Sequence, residues 1–229
     1  LEDSIELAKK MVAIGEHAGR RTAALITDMD VPLGQNIGNS LEVIESVEIL
    51  QGRGPKDLRE VSLQLAAGML QLIGKGSAAE CRHMAEQAIA DGSAFAKFAA
   101  MVQAQGGDAS VLSNTAKFAA APYHEEVCAA EDGYITHMDT ERCGMVSVVL
   151  GAGREKKESV IDFSAGIRLQ KKYGDYVQKG ECLAVLYTSR QQSLQEAARL
   201  YLSAVQIGAS APAARPLVYA RVDKNGVER

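Results

Sequence analysis

Two stretches of this sequence carry residue types that hold anions or cations. Gly151-Ala152-Gly153-Arg154 has the glycines and guanidinium of a phosphate-cradling loop. Such a loop joins a strand to a helix N-terminus, where unsatisfied N–H groups and the helix dipole face the anion. Here the glycines follow an apolar helical stretch, Glu141 to Leu150, so the pattern reads as a helix C-cap loop. The second stretch is the polar loop Asp28 to Asn39 (DMDVPLGQNIGN). It follows a short apolar run, Thr22 to Thr27 (TAALIT), consistent with a buried parallel strand. Ligands of α/β sheets gather at the carboxyl ends of strands, which makes this loop the better-placed candidate.

The remaining reactive side chains do not assemble by spacing. His17, His83, His124 and His137 are dispersed and read as surface or loop histidines. Arg20-Arg21, Lys156-Lys157 and Lys171-Lys172 are basic pairs interleaved with acids, as in solvated turns. Cys81, Cys128, Cys143 and Cys182 form no CxxC pair and read as buried free thiols of a reducing cytoplasm. A net charge of -4 with no basic stripe, and no Trp, argue against a nucleic-acid partner. No apolar run approaches the ~20 residues of a membrane helix.

The elements that would position these residues follow from caps and periodicity. Asp3 with Glu6 predicts a helix start, with Ile5, Ala8, Met11 and Val12 on one face and an end at Gly15–Gly19. Asn39 with Glu42 opens a helix that stops at Gly52. Pro55 opens one that runs to about Gly74. Ser77 with Glu80 is a capping box, Gly92 terminates that helix, and Ser93 opens another towards Gln105. One strand among so many helices cannot make a parallel sheet. Together with a first residue, Leu1, already inside a helical pattern, this suggests a fragment.

The texture changes after a Gly/Ala/Pro-containing linker. Glu126–Ala130 and Gly133–Thr136 predict strands around a turn at Glu131-Asp132-Gly133. Val160–Phe163, Ile167–Leu169, Tyr176–Val177 and Leu183–Tyr187 predict further strands, with turns at Gly174 and Gly180. A helix from Leu194 to Ile207 and a strand near Leu217–Ala220 complete the pattern.

Gly19 to Leu58 (GRRTAALITDMDVPLGQNIGNSLEVIESVEILQGRGPKDL) and Glu131 to Glu181 (EDGYITHMDTERCGMVSVVLGAGREKKESVIDFSAGIRLQKKYGDYVQKGE) resemble the pyrimidine-nucleoside and thymidine phosphorylase family. GNSLEV and LGAGREKKES are the more specific parts, and the pattern is more similar to the broad-specificity pyrimidine enzymes. The resemblance implies a pentosyltransferase that converts uridine or thymidine and phosphate, reversibly, to free base and pentose 1-phosphate. It implies an α/β region at 1–105, a linker at 106–122 and a β-rich C-terminal domain at 123–229. The fold class expected is therefore α/β, with the remnant of a parallel sheet, followed by a module resembling a biotinyl/lipoyl-like flattened barrel.

The family's phosphate- and base-binding segments have no counterpart here, so this chain alone is expected to be inactive, its partner the missing N-terminal half. The complete enzyme would be a cytoplasmic homodimer, with no membrane or nucleic-acid partner and no required cofactor. Some members bind a monovalent cation such as potassium. The matching groups are the backbone carbonyls of Leu33 and Asn36 and the carboxylate of Glu45, oxygen donors suited to a hard ion. An alternative comes from KKYGDYVQKGECLAVL, whose GD-x-V-x-x-GE-x-L pattern also occurs in biotinyl and lipoyl carrier domains, though it shows no lysine at a hairpin tip.

Overall fold

The computed structural model describes residues 1–154 and 156–229, so Glu155 of the LGAGREKKES segment lies outside the described residues. In chain order the elements are α1 (Glu2–His17), β1 (Ala24–Thr27), β2 (Asn36–Gly38), α2 (Asn39–Leu50), α3 (Lys56–Leu72), α4 (Ala78–Ala90) and α5 (Ser93–Ala104). There follow α6 (Ser110–Ser113), β3 (Tyr123–Cys128), β4 (Gly133–Met138), α7 (Thr140–Leu150), β5 (Gly166–Leu169) and β6 (Tyr176–Val177). The last are β7 (Cys182–Thr188), α8 (Leu194–Ala204), β8 (Val205–Gly208), β9 (Val218–Asp223) and β10 (Gly226–Glu228). They form two compact units interleaved in sequence. One comprises 1–28, 56–94 and 215–229, the other 29–55 and 95–214.

In the first unit α1 presents Ile5, Ala8 and Val12 to Ala220 and Val222 of β9, with Ala24 and Ile26 of β1 against them. Met11, expected on the same face, is 60 % exposed. The Asp3/Glu6 cap does not form. Leu1 occupies the cap position with no side-chain bond, and Glu6 instead pairs with Lys9 at 2.7 Å. The Ser77/Glu80 capping box does form, with both reciprocal bonds present. Helices α3 and α4 are tied by Arg82, which donates Nη1 and Nη2 to Glu60 Oε1 and Oε2 at 2.8 and 2.7 Å and Nε to Glu86 at 2.7 Å.

Strand β1 is not the parallel strand expected of TAALIT. It runs antiparallel to β9, in the order β1-β9-β10, and every ladder among the described residues is antiparallel. Its four residues are half-buried, not buried. A four-residue apolar run carries no information on the direction of its neighbour, and here the neighbour comes from the far end of the chain.

The second unit holds a four-stranded sheet, β2-β5-β7-β3, and a three-stranded sheet, β6-β4-β8. Its core is built from Ile135, Met138, Val146, Leu150, Ile167, Leu169, Leu183, Leu186 and Tyr201, all within 1 % of full burial. These are separate open sheets. No closed barrel is found among the described residues, which corrects the flattened-barrel expectation. Strands β3 and β4 do not pair across the Glu131–Gly133 turn; β3 pairs with β7, and β4 with β6 and β8. The same partition bears on the carrier alternative. Lys179 lies between β6 and β7, but those strands are in different sheets, so the lysine tips no hairpin. Its backbone N–H donates to Asp132 Oδ1 at 2.6 Å.

Three further departures are local. Val160–Phe163 is not a strand, and Val160 and Phe163 are 89 % and 67 % exposed. The helix expected to Ile207 ends at Ala204, where Val205–Gly208 becomes β8 beside β4. The 106–122 stretch includes the helical turn α6.

Candidate functional site

The loop following β1 turns into β2, whose register with β5 places Gly38 opposite Gly166. Both have positive φ, +149° and +155°. A Cβ at Gly38 would stand 2.6 Å from the Ala165 carbonyl, and one at Gly166 would meet the Ile37 carbonyl. Only paired glycines let the two backbones approach this closely. That contact delivers α2 to the site with Gly38 as its cap. The Gly38 N–H donates to Glu42 Oε1 at 2.9 Å, so Asn39, expected to cap, is released for a longer reach.

Asn39 Nδ2 donates to the Ala152 carbonyl at 2.8 Å, and both the N–H and the hydroxyl of Ser40 donate to the Phe163 carbonyl, at 3.1 and 2.7 Å. The GNSLEV segment is thereby tied to the loop after α7. That loop is the helix C-cap read from the sequence: Gly151 is left-handed (φ +105°), and its N–H and that of Ala152 cap Val148 and Ser147. The Gly151 and Ala152 N–H groups are thus turned back on the helix, so among the described residues these two do not face outward as the donors of a strand-to-helix phosphate cradle would.

Asp162 joins the same cluster, which sequence reasoning missed by assigning it to a strand. Its Oδ1 accepts from the Ser164 N–H (3.0 Å) and hydroxyl (2.6 Å), and its Oδ2 accepts from the Ser189 N–H at 2.9 Å. Burial opposes its charge, but the bonds from Ser164 and Ser189 outweigh it and hold the carboxyl below the usual carboxylate range. Asp-Phe-Ser is an Asx-turn pattern, and that was the available signal. Beside it the buried Thr188 donates its hydroxyl to the Leu150 carbonyl at 2.6 Å and accepts from the Arg190 N–H at 3.0 Å.

Glu45 is 2 % exposed on α2. Its Oε1 accepts from the Gln35 N–H at 2.9 Å and from Asn36 Nδ2 at 3.0 Å. Two of the three residues matched to a cation site, Asn36 and Glu45, are therefore in contact. Leu33 lies on the adjacent loop with its side chain 40 % exposed. The loop carbonyls already attract positive charge, because Lys172 donates Nζ to the Gly34 carbonyl at 2.9 Å. Among the described residues no three His, Cys, Asp or Glu side chains cluster as metal ligands, so any ion here would rest largely on backbone oxygens.

A cavity of about 300 Å³ opens beside α2, lined by Asn36, Ser40, Glu48, Ser164, Arg168 and Tyr187 among others. The first unit has its own of about 470 Å³, lined in part by Gln64, Gln71, Arg82, Tyr219 and Arg221. The Gln71 side-chain oxygen is buried there without a partner. No helix among the described residues is long and apolar enough to cross a membrane.

Comparison with known proteins bears on both parts of the chain. Residues 134–208 match the pyrimidine nucleoside phosphorylase C-terminal domain, and residues 1–95 match the glycosyl transferase family a/b domain. The pyrimidine-nucleoside phosphorylase of Geobacillus stearothermophilus is 44 % identical over 223 residues, covering 97 % of this chain and 51 % of that protein. That of Bacillus subtilis (strain 168) is 42 % identical over 213 residues, covering 93 % and 49 %. That of Staphylococcus epidermidis (strain ATCC 12228 / FDA PCI 1200) is 43 % identical over 193 residues, covering 84 % and 45 %. The chain thus spans about half the length of the curated relatives it matches. The matches run through both GNSLEV and the loop to which Asn39 ties it, and on them the chain belongs to the pyrimidine-nucleoside phosphorylase family.

Proposed function

We propose that the protein of which these residues are part phosphorolyses a pyrimidine nucleoside, uridine or thymidine, to the free base and pentose 1-phosphate. The observation that carries this reading is the identity to pyrimidine-nucleoside phosphorylases along 97 % of the chain. Phosphorolysis needs donors for phosphate oxygens, hydrogen bonds to the base, and charge stabilisation at a cationic sugar carbon. The clustered groups of this chain are committed to each other: Asn39 to Ala152, Asp162 to Ser164 and Ser189, Thr188 to Leu150. Their part in this reading is to scaffold one side of a cleft, and the 229 residues alone do not turn over substrate.

The finer assignments belong to the same proposal. Residues 1–105 form part of the phosphorylase α/β domain and 123–229 its C-terminal domain, joined by 106–122, a division supported by the extents of the two family matches. A potassium ion is held in part by the Leu33 and Asn36 carbonyls and Glu45. The contact between Asn36 and Glu45 and the buried position of that carboxylate support it. The longer protein works as a cytoplasmic homodimer.

The test is a uridine phosphorolysis assay on the purified chain, with and without a polypeptide covering the half of the Geobacillus stearothermophilus relative that this chain does not match. Activity only in the mixture is expected. Turnover by the chain alone would overturn its inactivity. A stable mixed complex without turnover on uridine or thymidine would overturn the assigned reaction.

A further inference from the structure

Cys81 and Cys143 are fully buried, whereas Cys128 is exposed and Cys182 half-buried, so the reading of all four as buried thiols does not hold. Strand pairing brings the second two together. Cys128 at the end of β3 and Cys182 at the start of β7 are Cα partners, one step beyond a register shift after Val127↔Ala184. The shift leaves Leu183 as an extra residue of β7, which is why Leu183 and Ala184 are both buried. The Ala129 N–H donates to the Glu181 carbonyl at 2.9 Å. That bond flanks a non-hydrogen-bonded pair, the kind whose Cα atoms stand about 4.5 Å apart with side chains close. A disulfide spans roughly 4.4–6.8 Å between Cα atoms. Val127 and Leu183 turn inward, leaving Cys128 and Cys182 on the outer face.

We propose that Cys128 and Cys182 are a reversible redox pair that closes to an intramolecular disulfide by exchange with a low-molecular-weight disulfide such as oxidised glutathione. This is independent of the phosphorolysis reading. The Cys128 thiolate, the more exposed, attacks one sulfur of the small disulfide; a protein–glutathione bond forms and one glutathione thiolate leaves. The Cys182 thiolate then attacks Cys128 Sγ, the mixed disulfide breaks, and a second glutathione leaves. The two leaving thiolates take up the two protons lost by the cysteines. Two electrons pass from the protein thiols to the small disulfide. Burial first, then the charges of Glu126 and Cys128, push the Cys182 thiol up, so Cys182 suits the resolving position and not the first attack.

The folded chain is incubated with oxidised glutathione, alkylated with iodoacetamide, and its unreduced proteolytic peptides are read by mass spectrometry. A linked peptide pair through Cys128 and Cys182 is expected, reversed by dithiothreitol, with Cys81 and Cys143 unmodified. In Cys182→Ser the reaction stops at a glutathione adduct on Cys128, and in Cys128→Ser Cys182 stays largely unmodified and alkylates. Phenylarsine oxide, which bridges two thiols, is retained by the unsubstituted chain and not by either variant. Glutathione accumulating on Cys128 while Cys182 still alkylates would overturn the proposal. So would crosslinks that include Cys81 or Cys143 as often, since those require unfolding.

Discussion

Asn39 and Ala152 stand 113 positions apart in sequence, yet the side-chain amide of the first donates to the carbonyl of the second at 2.8 Å. This bond joins the start of α2 to the loop that ends α7. Asn39→Ala removes the donor and leaves a partly buried carbonyl short of a partner. The expected loss is about 0.5–1.5 kcal/mol of unfolding free energy. Asn39→Asp, which sets a carboxylate against that carbonyl, should cost more. The chain has no Trp, so urea unfolding is followed by far-ultraviolet circular dichroism. Equal midpoints for all three proteins would remove the bond from the account.

Asp162 accepts two backbone N–H groups and a hydroxyl. Asp162→Ala should cost about 1.5–3 kcal/mol, the range for hydrogen bonds to a charged group. The folded carboxyl lies below its ordinary value of 3.8. Its contribution is therefore fully present above that value and is lost as pH falls through the lower folded value. The stability gap between the unsubstituted chain and Asp162→Asn should be constant near neutrality and close in acid. A gap that widens in acid would contradict the sign.

Glu60 gives a second acid-sensitive link, in the other unit. The hydrogen bonds from Arg82, against a smaller opposing effect of burial, hold its carboxyl down at about 2 from an ordinary 4.5. Stabilisation by this pair is present above 4.5 and is lost as pH falls towards 2. Both side chains are about a third exposed, so salt should weaken the link. Glu60→Gln should unfold more easily than the unsubstituted chain at pH 6 in low salt, with the difference shrinking at pH 3 or in 1 M salt. Thermal melts across that grid measure it.

Replacement of Glu45 separates shape from charge. Glu45→Ala leaves the Gln35 N–H and the Asn36 amide, both within reach of water, without their acceptor, at about 0.5–1.5 kcal/mol for each bond lost. Glu45→Gln keeps one acceptor oxygen and should cost less. In the complemented enzyme both variants should lose any potassium dependence of uridine phosphorolysis. Retention of that dependence in Glu45→Gln would remove the carboxylate from the proposed cation site.

Gly151→Ala tests the C-cap. The position is left-handed (φ +105°), and a Cβ there would collide with the Arg190 guanidinium. Residue strain of about 1–2 kcal/mol is expected, plus displacement of that side chain. Unchanged stability would show that the loop relaxes freely.

What the sequence determined by itself was local or carried by pattern. The Ser77/Glu80 box, the stop at Gly151 and the turns at Gly174 and Gly180 were legible because each is decided within a few residues by one side chain or one positive φ. Family membership was legible in GNSLEV and LGAGREKKES. Only the tertiary structure decided who pairs with whom. TAALIT found an antiparallel partner near the far terminus, and β3 and β4, neighbours across a turn, went to different sheets. Cys128 met Cys182 only through a register shift. Strand partners are chosen by burial and backbone hydrogen bonding among distant segments, and those energies leave no mark at fixed spacing in the chain. The cluster around Asn39, Ala152 and Asp162 was unreadable for the same reason: every residue in it completes its hydrogen bonding only after the sheet has brought the others near.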